Sequence, residues 1–317
     1  MKLLIIILYG LIFTLPLGMQ AASLNGFSLE RSTIPAHEIL SGGPGKDGIP
    51  ALLKPKFVTA KNANFLNARD PVLGISVNGE HRAYPIKILN WHEVVNDTIQ
   101  GKKVVITYCP LCGSGMAFSA TLNGRTLTFG VSGLLYNSDV LLYDHQTESL
   151  WSQIKGKAVT GVAAGQSLTQ YPLTLTRWQQ WQAQYPSTKV LSTDTGFSRN
   201  YQQDPYAGYQ RSPRLFFPVA NKAPSIYSSK ETVMGFKGKQ SVIAFPFTEL
   251  RKQGKSQFNF DFEGLALVVH YDQDNQSAWI TDNQGNQLSS TLLYWFAWYA
   301  FYPDTHIFKA NRIQYEK

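Results

Sequence analysis

The sequence predicts a mainly β protein with a few short helices, folded as two lobes related by internal duplication. Three observations carry that prediction. Runs of β-branched and apolar residues such as Val104-Val105-Ile106 are too short for helices and suit a pleated surface. Asn78-Gly79 and Asn123-Gly124 fall between such runs, as the turn of a two-residue hairpin does. Finally, Val233-Met234-Gly235 and Ala244-Phe245-Pro246-Phe247 each stand 161 residues after Val72-Leu73-Gly74 and Ala83-Tyr84-Pro85-Ile86. Leu267-Val268-Val269-His270-Tyr271 follows Val104-Val105-Ile106-Thr107-Tyr108 by 163. The expected division is a signal peptide over 1–22, a first β-rich lobe over 23–195, and a linker with a second β-rich lobe over 196–317.

Met1-Lys2, the apolar run Leu3 to Leu17 and the small residues ending at Ala22 have the order of an export signal. An uncleaved N-terminal anchor is the alternative. No cysteine follows the run, which disfavours a lipid anchor. No later segment is long and apolar enough to span a membrane: Leu292 to Tyr302 has about half the required length and is stopped by Pro303. The mature chain is therefore expected to be periplasmic or extracellular. The full chain's net charge of +8 is scattered and forms no Lys/Arg run, so no nucleic-acid partner is expected.

Residues 23–70 read as loop, centred on Ser41-Gly42-Gly43-Pro44-Gly45-Lys46-Asp47-Gly48-Ile49-Pro50. Lys46 precedes Asp47 where a phosphate loop needs Ser or Thr, so this is a structural turn cluster. Strands are predicted on both sides of Asn78-Gly79, and a helical stretch from Ile86 to Val95 contains Trp91-His92-Glu93. After the strand that ends at the cysteines come the Asn123-Gly124 hairpin, a strand from Thr126 to Val131, and β-rich sequence from Gly133 to Trp151. A helix over Leu175 to Gln184 is stopped by Pro186, and residues 196–229 are loop-like. The aromatic stretch Ser289 to Tyr302 is expected to pack on the core, with a binding patch as the alternative.

The two cysteines lie in Thr107-Tyr108-Cys109-Pro110-Leu111-Cys112-Gly113-Ser114-Gly115-Met116, at a strand end and in a tight turn. A chain of this length does not need a disulfide to hold its core, so the pair reads as a site. In the metal reading, both thiolates of the knuckle face one point and Gly113 supplies the left-handed residue. The remaining ligands would come from His92, His145 or Met116. Such soft donors favour copper(I) or zinc, with copper preferred. Alternatives are thiol–disulfide exchange, a structural disulfide that closes too short a loop to constrain much, and a cysteine nucleophile with His92 as its base. Tyr143-Asp144 and Glu148 could line the same cleft, although surface hydrogen bonding suits each better.

Several motifs together carry a family resemblance. They are Gly42-Gly43-Pro44 with Asp47-Gly48-Ile49-Pro50, Ala83-Tyr84-Pro85, Trp91-His92-Glu93-Val94-Val95-Asn96-Asp97, and Tyr108-Cys109-Pro110-Leu111-Cys112-Gly113-Ser114. Ser132-Gly133-Leu134-Leu135, Tyr143-Asp144, Thr147-Glu148-Ser149-Leu150-Trp151, Asp204-Pro205-Tyr206 and Phe301-Tyr302-Pro303-Asp304-Thr305 extend the pattern across nearly the whole mature chain. The sequence resembles the bacterial family catalogued as domain of unknown function 3179, whose members are often exported. The resemblance implies no catalytic role for any residue. The expected function is therefore argued from the cysteine pair: an exported protein that binds or handles a soft metal, with a metal ion or an envelope protein as partner. A periplasmic thiol–disulfide oxidoreductase is the alternative.

Overall fold

The apolar runs do form strands, and five small sheets of four or five strands are arranged as the blades of a five-bladed β-propeller, with two further two-stranded hairpins among the described residues. The computed structural model describes residues 23–310; the signal-peptide expectation for residues 1–22 lies outside them. Blade 1 is built on the hairpin Pro71–Val77/Glu80–Pro85, flanked by Thr174–Arg177 and Lys189–Leu191, with Phe57–Thr59 outermost. Blade 2 is the meander Val94–Ile99, Lys102–Cys109, Ser114–Ser119 with Gln170–Tyr171 at its edge. Blade 3 comprises Phe129–Tyr136, Asp139–Asp144, Leu150–Ser152 and Lys157–Ala158, with Ile39–Ser41 added from the N-terminal segment. Blade 4 is Thr232–Lys237/Val242–Pro246 between Ser290–Tyr294 and His306–Ile307, and blade 5 is Gln257–Phe262, Leu265–Asp272, Ser277–Asp282 and Gln287–Leu288.

Side chains link the blades in chain order. Leu73 of blade 1 packs onto Gly115 of blade 2, where any Cβ would collide with it. The Asn96 amide of blade 2 exchanges two 2.8 Å bonds with the Phe129 backbone of blade 3. Lys237 of blade 4 donates to the Ile154 carbonyl beside blade 3 at 3.0 Å. Phe236 and Phe262 join blades 4 and 5, and Gln287 donates to Thr174 at 3.0 Å to close blade 5 onto blade 1.

Two series of elements run in the same order. Each begins with a hairpin, followed by a seven-residue helix, α1 (Ile86–His92) or α3 (Phe247–Gln253), and then a three-stranded meander with a fourth edge strand. Each ends with a strand, a second helix, α2 (Trp178–Gln184) or α4 (Trp295–Phe301), and a last strand lying parallel to the hairpin's second strand. Trp181 packs on Gly74 and donates to Thr188 at 3.0 Å; Trp298 packs on Gly235 and donates to Thr305 at 2.8 Å. Blade 3 has no counterpart in the second series. Its four strands from Phe129 to Ala158 enter the first series between Ser119 and Gln170.

Two helices differ from the sequence pattern. The stretch Ile86 to Val95 is helical only to His92, because Glu93 takes φ +57° and Val94-Val95 begin a strand of blade 2. The helix expected from Leu175 starts at Trp178, since Thr174–Arg177 pairs along Pro71–Gly74 as the edge that blade 1 requires. The hairpins at Asn78-Gly79 and Asn123-Gly124 form as expected. The Gly-Pro cluster packs over blade 3: the Asp47 amide donates to the Val131 carbonyl at 2.9 Å, and the Tyr143 hydroxyl donates to the Asp47 carboxylate at 2.6 Å. Residues 290–301 form a buried strand followed by α4, six of whose seven residues are buried. The largest core cluster joins blades 2, 3 and 4 and contains Cys109, Cys112 and Met116.

Candidate metal centre

Cys109 is the last residue of its strand and pairs with Ser114, so the knuckle Pro110-Leu111-Cys112-Gly113 is the whole connection between two antiparallel strands. Gly113 closes it at φ +63° beneath the Tyr294 ring, which a Cβ there would meet at 2.8 Å. The Cys112 carbonyl accepts from the Tyr294 amide at 2.8 Å, which anchors the knuckle to blade 4.

Both thiols are free and fully buried. They point at one carbonyl, that of Ser138, at 3.3 Å from Cys112 and 3.7 Å from Cys109. Ser138 forms the blade 3 hairpin turn with Asn137, and both residues have positive φ, +63° and +53°. The 196–229 segment clamps this turn: the Ser138 hydroxyl donates to the Phe217 carbonyl at 2.9 Å, and the Asn137 side-chain oxygen accepts from the Ala220 amide at 2.7 Å.

The next residue, Asp139, brings a carboxylate to the thiols. Cys109, Cys112 and Asp139 form the one group of three or more His, Cys, Asp or Glu ligand atoms among the described residues, all within 4.8 Å of one another. Asp139 Oδ2 accepts from the Ser152 hydroxyl at 3.0 Å and the Ile154 amide at 3.1 Å, while Oδ1 is buried with no hydrogen-bond partner among the described residues. A buried acceptor left without a partner costs about 1–3 kcal/mol. A cation bound by the two sulfurs would supply the missing contact.

Burial also sets the proton affinities. It raises Asp139 to about 7 against the hydrogen bonds that oppose it, and raises the Cys112 thiol well above its usual value, with Cys109 reinforcing the shift. Burial also lifts Glu93 to about 8, offset by Tyr206 and reinforced by Asp139. It lowers Lys237 to about 8, with Lys155 adding to the effect. A metal ion would reverse this tendency at the cysteines, since coordination favours the thiolate. Gln153, fully buried, accepts from the Ser114 hydroxyl at 2.6 Å and donates to Thr107 at 2.9 Å, so blade 3 also grips the strands that carry the knuckle. A tyrosine-lined polar cavity of about 470 Å³ reaches Tyr108 and Pro110.

The structure does not bring the two histidines named from the sequence into the thiol group. His92 is buried, with Nδ1 donating to the Pro50 carbonyl at 2.8 Å and Nε2 accepting from the Tyr201 hydroxyl at 2.7 Å. Burial lowers its pKa, consistent with that neutral tautomer. His145 is exposed and stacks on Tyr143. Met116 lies two residues beyond Ser114 on the same strand and packs in the core cluster that holds both cysteines. Tyr143 bonds to Asp47, Asp144 accepts from the Trp151 indole, and Glu148 pairs with Lys46, so all three serve blade 3 and its overlying turn. Sequence reasoning missed Asp139, Ser138 and Gln153. The available signal was an acid directly before Val140-Leu141-Leu142, a run that buries completely.

No curated protein and no solved structure matches the chain. One family model does, over residues 46–305, and its description is protein of unknown function (DUF3179). The match takes in the knuckle, Asp139 and every blade strand except Ile39–Ser41 and His306–Ile307, and the chain belongs to this family.

Proposed function

We propose that the protein binds a soft or borderline metal ion, copper(I) or zinc, at Cys109 and Cys112 with Asp139 as third ligand, and handles that ion outside the cytoplasm. The observation that carries this reading is the unpartnered Asp139 Oδ1 buried beside two free thiols. Two thiolates alone suffice for copper(I), whereas zinc takes sulfur and oxygen ligands together and completes a tetrahedron with a fourth. The carboxylate is a harder donor than the histidine and methionine expected from the sequence, and it draws the preference toward zinc. The polar cavity at Tyr108 and Pro110 offers a route by which an ion, or a partner that delivers one, reaches the knuckle.

Thiol–disulfide exchange needs an accessible thiol of depressed pKa. Here both sulfurs are fully buried and burial pushes Cys112 upward, which favours metal binding over exchange. The same proposal takes residues 1–22 as the export signal and the two matching series of elements as duplicated units, with blade 3 as an insertion that supplied Asp139.

Metal content of the purified wild type, Cys109→Ser/Cys112→Ser and Asp139→Asn tests the reading. One equivalent of metal in the wild type should disappear in the double variant. Asp139→Asn should weaken zinc by at least the roughly 10–100-fold that changes behind a metal's ligands produce, while leaving copper(I) retained. Equal metal content in the wild type and the double variant would sink the proposal.

A further inference from the structure

A second cavity, of about 570 Å³, lies between blade 3 and the 196–229 segment, and its volume suits a small ligand. Val131, Leu134, Leu135 and Val140 line it from blade 3, and Phe216 and Phe217 line it from the segment opposite. Phe216 is 59% exposed at its lip, one of few large apolar side chains left in solvent among the described residues.

One buried acid, Glu93, lines this apolar space. Its backbone is held rigidly at φ +57°: its amide donates to the Leu89 carbonyl and its carbonyl accepts from the Tyr108 amide, each at 2.7 Å. Its carboxyl has a single hydrogen bond among the described residues, from the Tyr206 hydroxyl at a long 3.4 Å. A non-glycine residue held in the left-handed region at the edge of a cavity is the kind of local strain that gathers at binding sites. With its pKa raised to about 8 by burial, the carboxyl is neutral near pH 7 and carries a proton to donate. Arg214 is exposed and also lines the cavity.

We infer that this cavity binds a neutral, apolar small molecule bearing a carbonyl oxygen, its body against blade 3 and its oxygen accepting a hydrogen bond from the Glu93 carboxyl. This site uses none of the three metal ligands, but it adjoins theirs: Leu111 of the knuckle also lines the cavity, and the Asp139 charge adds to the burial that keeps Glu93 protonated. An anionic ligand would instead be drawn to Arg214, and a purely apolar one would leave the Glu93 donor unused.

Calorimetric titration of the full chain with 1-tetralone, tetralin and 1-naphthoate tests this. These share a fused bicyclic body and carry a ketone, no polar group and a carboxylate, respectively. The ketone should bind about tenfold more tightly than tetralin, the size expected of one neutral hydrogen bond formed in an apolar site. Glu93→Gln, which keeps a donor, should preserve that preference. Glu93→Leu should abolish it while tetralin still binds, which also shows that the variant is folded. Ile49→Trp, on the cavity wall, should weaken both ligands. Equal binding of ketone and tetralin to the wild type, no binding of either, or a preference for naphthoate that Arg214→Gln removes would each overturn the inference.

Discussion

Glu93 and Asp139 show how two acids acquire opposite uses from similar burial. Asp139 has two donors on one oxygen and none on the other, which leaves it suited to a cation. Glu93 faces apolar walls and keeps its proton. The sign of the resulting pH dependence follows from linkage. The folded pKa of Glu93, about 8, lies above the ordinary 4.5, so the folded state holds a proton that the unfolded chain releases. Its contribution to stability is full below pH 4.5 and is lost as pH rises toward 8. Denaturant titrations across that window should show the wild type losing up to about 1.4 kcal/mol per pH unit relative to Glu93→Gln, in which this slope is absent. Parallel profiles for the two proteins would mean that Glu93 ionises freely in the fold. His92 carries a lesson at the same scale. The sequence placed it near the cysteines along the chain, but its imidazole is committed at both nitrogens to Pro50 and Tyr201, a pairing across 109 residues that no local pattern announces.

At the scale of elements, the knuckle was legible because its causes are local: a β-branched strand, two cysteines, and a glycine where positive φ is required. The hairpins were legible for the same reason. The helix boundaries were not, because Thr174–Arg177 is a strand only by virtue of pairing with Pro71–Gly74, a tertiary demand that overrides local preference. The most informative repeat also escaped the sequence reading. Trp181 with Thr188 and Trp298 with Thr305 stand in the same Trp-x-x-x-Tyr-Pro-x-Thr spacing, and each indole covers a strand glycine. A Cβ on Gly235 would lie 2.2 Å from the Trp298 ring, so Gly235→Ala should cost about 1–3 kcal/mol in equilibrium unfolding. Trp298→Phe keeps most of the packing and loses the Thr305 bond, and should cost about 0.5–1.5 kcal/mol. If Gly235→Ala unfolds at the wild-type denaturant concentration, the close approach of ring and strand is not a constraint on this fold.

For the whole molecule, the ring of blades explains why the site could not be read from one segment. The thiols belong to blade 2, the carboxylate to blade 3 and the knuckle's anchor to blade 4, and the sequence says little about which blades will be neighbours. Blade 3 is also the part without a counterpart, so the matching blocks, which correspond to the two like series of elements, were silent about Asp139. An ion held by all three ligands binds only the closed arrangement. At free metal about a hundredfold above its dissociation constant it should stabilise the fold by about 2.7 kcal/mol, and Cys109→Ser/Cys112→Ser should show no such metal-dependent rise in thermal midpoint. A rise of equal size in both proteins would place the metal elsewhere.

The seam between blades 2 and 3 is bridged by Gln153, and the Cys109, Cys112 and Asp139 side chains meet across it. An ion seated in that seam would act as a latch, and without another exit it would be released only as fast as the two blades part. Transfer of metal to an external chelator and hydrogen exchange of the amides in 139–144 should then share one rate, slow and independent of chelator concentration. A chelator that strips the ion faster than those amides exchange would mean that the ion leaves past Tyr108 and Pro110 with the blades still closed, and the polar cavity would then be the working door of the protein.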